Sequence, residues 1–95
     1  MLTPRPLEAL RAEIDRADDL LFAALALRFA AVTEVASLKR AEGLAPVDPA
    51  REDALRRRWV RLAEAHGVPA AEALAVMESV LAQCRARVVA AAQER

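Results

Sequence analysis

The chain has 95 residues, enough for one domain with a modest core. Hydrophobic residues make up 56% of it and aromatics only 3%, a composition that suits helices and is poor in strand formers. Acidic and basic residues number 14 each and cancel to a formal net charge of zero, so a general attraction to nucleic acid or to membrane surfaces gets no support.

The first predicted element is a helix from near Pro6 to about Ala41. No proline or glycine interrupts that span, and Gly43 and Pro46 end it. Its apolar stripe reads Leu7, Leu10, Ile14, Ala17, Leu21, Leu25, Arg28, Val32, Val35, Lys39, at spacings of three and four that put every member on one face. At 1.5 Å per residue the helix is roughly 50 Å long, against a diameter of about 30 Å for a compact chain of this size. A straight helix of that length cannot be buried by its own chain. The expectation is an obligate, intertwined homodimer whose long helices pack along each other.

Residues Arg40 to Val47 read as a loop. Asp48-Pro49 starts a second helix, because aspartate caps free amides and proline suits the first helical position. That helix runs from about 49 to 65 and ends at His66-Gly67. Pro69 opens a third helix over about 69–92, with the stripe Leu74, Met77, Leu81, Cys84, Val88, Ala91. No repeat, low-complexity tail or strand signal is present, so the expectation is a single all-α domain over 1–95.

A single cysteine rules out an internal disulfide. The start Met1 to Pro6 lacks the apolar core of a signal peptide. The longest uninterrupted apolar run, Leu20 to Leu27, is far short of a membrane span and is ended by Arg28. A soluble, cytoplasmic protein with no membrane or nucleic-acid partner is expected.

Arg28 and Lys39 are the chemically informative residues. All but one of the 14 cations are arginine, Lys39 being the exception, and these two sit on an apolar stripe about 16 Å apart by helix rise. Burying a cation without an anion is costly. The counter-ion is either a carboxylate of the partner chain, reached by snorkelling, or a bound anion. Arg11 lies at the edge of the same stripe. In an antiparallel dimer it would approach the far half of the other chain's helix and gather three cations around one cavity, which suits a small dicarboxylate.

Asp48, Arg51 and Glu52 cluster at the start of the second helix. Capping explains Asp48. Arginine in a first turn opposes the helix dipole, and Glu52 can accept from a ligand hydroxyl. Arg56, Arg57, Arg58 and Arg61 read as a solvated face, with Glu52–Arg56 and Asp53–Arg57 as four-apart pairs. Cys84 reads as a small buried hydrophobe and Trp59 as a core or interface anchor. One histidine, His66, and one cysteine make neither a nucleophile–base pair nor a zinc site, and two isolated glycines make no phosphate loop.

The order Leu7-x-x-Leu10-Arg11-x-x-Ile14-Asp15-x-x-Asp18, Leu25-x-x-Arg28, Val35-x-x-x-Lys39, Val47-Asp48-x-x-Arg51-Glu52 resembles the all-α chorismate mutases, from about Leu7 to Val88. The resemblance implies an intertwined dimer of three-helix chains. The implied activity is the rearrangement of chorismate to prephenate in aromatic amino acid biosynthesis, with no cofactor and no metal. It assigns the substrate carboxylates to Arg28 and the other chain's Arg11. It gives Lys39 the ether oxygen of the breaking bond and one carboxylate. The ring hydroxyl goes to Glu52, helped by the Asp48 backbone, and Arg51 supports the carboxylate site. Cys84 stands at a position that is usually small and polar.

One position departs from the family pattern. A gap-free count puts Val88 where the family commonly has glutamine or a protonatable glutamate as a second donor to the ether oxygen. Valine cannot donate. Losing such a donor costs about 10²–10³ in rate. Gln83, Arg87 and Gln93 fall on other faces of an ideal helix. The sequence therefore points to a chorismate mutase with reduced activity. The alternatives are a relative acting on isochorismate as a pyruvate lyase, or on 4-amino-4-deoxychorismate, or a non-catalytic helical dimer that binds a dicarboxylate.

Overall fold

The structure, a computed structural model, describes residues 4–94. Met1 to Thr3, within the start expected to lack a signal peptide's apolar core, and Arg95 lie outside the described residues. The described residues form three helices, α1 (Leu7–Glu42), α2 (Pro49–His66) and α3 (Ala70–Ala92), with no strand among them. The all-α expectation holds, and each predicted boundary falls close to the observed one.

Local chemistry explains the helix ends. Glu8 lies in the first turn of α1 and Lys39 and Arg40 in its last, complementing the helix dipole. Gly43 then takes a left-handed φ of 67°, and the Leu44 amide bonds back to the Lys39 carbonyl at 2.8 Å. Asp48 caps α2 by accepting from the Arg51 amide at 3.1 Å, with Pro49 behind it. Gly67, at φ 68°, closes α2 and its neighbour Val68 donates to the Ala63 carbonyl at 2.9 Å. Pro69 precedes α3 without a side-chain cap.

The chain divides between Ala31 and Val32, inside α1. In the C-terminal unit α2 and α3 pack together. Its core consists of Ala36 from the end of α1, Trp59 and Ala63 on one face of α2, and Leu81, Cys84 and Val88 on one face of α3. Trp59, read as a core or interface anchor, lies in the core, and the reading of Cys84 as a buried small hydrophobe is met. Most of these side chains are small, so the core is thin.

The N-terminal unit has no buried residue among those described. Leu20, Phe22 and Leu27 are 72–75% exposed, and Leu7, Leu10, Ile14 and Leu21 are exposed as well. Leu20, Phe22 and Leu27 are off the predicted stripe, so the apolar surface is wider than the stripe alone. α1 is in fact long and apolar enough to cross a membrane by length and composition. Isolated charges such as Arg28 and Glu34 break the uninterrupted apolar run without making the surrounding segment polar.

Candidate functional site

Most of the predicted site residues belong to the C-terminal unit. Lys39 is half-buried in the last turn of α1, and its Nζ donates to the Pro46 carbonyl at 3.0 Å. Pro46 stands two residues before the Asp48 cap, so the lone lysine is held against the loop that feeds the start of α2. Asp48 directs its side chain to the cap, which leaves its backbone carbonyl accepting from the Glu52 amide at 3.0 Å. Arg51 is exposed.

Glu52 is the most elaborated residue of the set. Its side chain is only 14% exposed. Arg85, from α3, grips it with a two-pronged contact: Nε donates to Oε2 at 3.1 Å and Nη2 to Oε1 at 2.6 Å. Such paired bonds are among the strongest polar contacts a protein makes, because charge and planar geometry match together. Arg56 lies on the other side, its Nη2 3.8 Å from Oε1 of Glu52. Arg56 in turn donates from Nε and Nη2 to the two oxygens of Glu78 on α3, at 2.5 and 3.2 Å, and from Nη1 to Asp53 at 3.1 Å. The result is a chain of alternating charge, Arg85–Glu52–Arg56–Glu78, laced between α2 and α3.

This chain corrects one expectation. Arg56 does not stay on a solvated face with Arg57, Arg58 and Arg61, which are exposed. It is half-buried and crosses to Glu78, and Asp53 pairs with it rather than with Arg57. Arg85 and Glu78 escaped the sequence reading altogether. A signal was present: Glu52 and Arg56 are one turn apart on α2, and Glu78 and Arg85 two turns apart on α3, with signs that match when the helices pair.

The charges shift one another. The Arg85 hydrogen bonds hold the Glu52 carboxyl below its ordinary value, against a smaller opposing push from burial. Arg56 does the same to Glu78. A carboxylate whose folded pKa is depressed adds stability above its unfolded pKa and loses it as pH falls through the folded value. The unit should therefore be less stable to denaturant at pH 3 than at pH 6. Glu52→Gln with Glu78→Gln should flatten that slope, as urea midpoints across this range would show.

Cys84 and Val88 are buried together on α3, while Gln83, Arg87 and Gln93 are exposed, as helical periodicity required. Arg11 and Arg28 belong to the N-terminal unit. Arg11 pairs with Glu8 one turn earlier on its own helix at 2.9 Å, an exposed contact worth at most about 1 kcal/mol and easily exchanged for another anion. Arg28 is half-buried. No group of His, Cys, Asp and Glu among the described residues is arranged to hold a metal ion.

The arrangement is one of fixed charge. It offers a half-buried lysine, a carboxylate held ionised and further arginines, and the single cysteine is buried with valine and leucine. Such a set is suited to holding an anionic, hydroxyl-bearing ligand by fixed charge, and it offers no nucleophile–base pair. Residues 10–89 match the family model described as chorismate mutase type II. No curated protein matches the chain.

Proposed function

The chain belongs to the chorismate mutase type II family, and from that premise we propose that it rearranges chorismate to prephenate as a homodimer. The observation that carries this reading is the ordered set Arg11, Arg28, Lys39, Asp48, Arg51 and Glu52. Within it, the only lysine is half-buried beside the loop into α2, and Glu52 is held as a carboxylate.

In the rearrangement one carbon–oxygen bond breaks as one carbon–carbon bond forms, within a single molecule, and no proton or electron need be exchanged with the protein. Two tasks remain. The flexible substrate must be held compact, so that its reacting ends meet. Arg28, Arg51 and the other chain's Arg11 perform that task on the carboxylates, and Glu52 accepts from the ring hydroxyl. Charge that develops on the ether oxygen must also be met by fixed positive charge. Lys39 performs that task from a rigid helix end.

The exposed apolar surface of α1 supports the dimer. Each large apolar side chain that it covers gains about 1.5–3 kcal/mol on full burial, and a second copy brings the same surface to the pairing. Light scattering after size exclusion should give twice the chain mass in detergent-free buffer. A stable folded monomer, or a chain soluble only with detergent, would remove the dimer.

The decisive assay follows prephenate formed from chorismate by the purified protein. No conversion above the uncatalysed rate would end the mutase reading. Val88, buried and without a donor, favours a second reading in which the same site takes isochorismate or 4-amino-4-deoxychorismate, or binds without turnover. Parallel incubations with those compounds, and calorimetry with chorismate, separate these outcomes.

A further inference from the structure

We propose that Arg85 is a positioning residue that holds Glu52 as a fixed, charge-compensated acceptor for the hydroxyl of the bound ligand. The ligand's identity rests on the mutase reading; the pairing itself does not. Three observations carry it. The two contacts, at 3.1 and 2.6 Å, engage both oxygens of Glu52 at once and so fix the plane of the carboxylate. A carboxylate has about four lone-pair sites, so this grip leaves room for a hydroxyl. Arg85 also stands three residues before Val88 on α3, so it brings a cation to the part of the helix where Val88 is apolar.

Compensation matters because the expected ligand is itself a dianion. A bare carboxylate at Glu52 would repel it. The groups facing Glu52 are Arg56 on its own helix and Arg85 and Glu78 on α3. Arg56 is shared with Glu78 and Asp53, which leaves Arg85 as the cation dedicated to Glu52. Removing it would leave Glu52 free to rotate and compensated only by the shared Arg56. Arg85 touches no reacting atom in this scheme and acts through Glu52.

The test uses Arg85→Gln and Arg85→Lys in the full chain, each with two readouts. The first is the carbon-13 carboxyl titration of Glu52, assigned by its loss in Glu52→Gln. Wild type should titrate below the ordinary glutamate range, Arg85→Gln should move upward toward it, and Arg85→Lys should fall between. The second is steady-state kinetics with chorismate. Arg85→Gln should raise KM about tenfold to a hundredfold with a smaller change in kcat, Arg85→Lys should recover part of that, and the effect should vanish in a Glu52→Gln background. An unchanged Glu52 titration overturns the pairing. Additive effects of Arg85→Gln and Glu52→Gln overturn the positioning role. Chorismate bound without turnover ends the mutase reading alone, and the coupling is then read from Kd. Chorismate neither bound nor converted, with a normal Glu52 titration shift, overturns the ligand role.

Discussion

Lys39→Ala should lower chorismate turnover by at least about 10²–10³-fold, the usual cost of deleting one donor to developing negative charge. The loss should exceed that range if, as the resemblance implies, Val88 stands at the second donor position and leaves Lys39 to carry the task. Binding should weaken less, since the proposed scheme assigns the carboxylates to Arg11, Arg28 and Arg51 as well. The fold should survive. The ammonium donates to the Pro46 carbonyl. Losing a single hydrogen bond of this kind costs about 0.5–1.5 kcal/mol, partly offset because a half-buried charge no longer has to be desolvated. A shift of a few degrees in the melting curve, beside a collapse of kcat, is the expected pair of results. Equal losses in both would mean that Lys39 is a structural residue.

Val88→Gln should move activity the other way. If residue 88 faces the ether oxygen, an amide N–H there restores a donor worth about 10²–10³ in kcat. The gain comes at a structural cost, because Val88 is buried on the same face of α3 as Leu81 and Cys84. A buried amide without a partner costs about 1–3 kcal/mol. The variant should therefore melt lower without ligand and regain stability when a dicarboxylate binds. Turnover and melting with and without chorismate read both effects. A folded variant with unchanged kcat would show that residue 88 packs the helix pair and never meets substrate.

Much of the fold was legible because its signals are local. Asp48-Pro49, His66-Gly67 and Gly43 fix helix ends through capping and backbone geometry that need no tertiary partner. Periodicity placed Leu81, Cys84 and Val88 on the stripe that is buried, and Trp59, read as a core or interface anchor, is buried too. The site was legible only in part. Lys39 and Arg28 stood out as cations on an apolar stripe, whereas no local pattern singled out Arg85 or Glu78. Their meaning depends on which faces of α2 and α3 meet, and that is decided by packing. Arg56 was misplaced for the same reason: a partner four residues away is visible in the sequence, and one on another helix is not. The length and average apolarity of α1 do not show in its uninterrupted runs, because Arg28 and Glu34 interrupt them.

Trp59 is the chain's only tryptophan, and it is buried in the C-terminal unit. Its fluorescence therefore watches that unit alone. Far-ultraviolet dichroism counts every helical residue, including the long stretch of α1 before Val32. The molecule thus carries its own two-colour thermometer. If the two signals melt as one, and both midpoints climb with protein concentration, then association and folding are a single event by mass action. A dichroism loss that precedes the tryptophan signal would show the exposed half of α1 unravelling first, while the end that carries Lys39 is still in place.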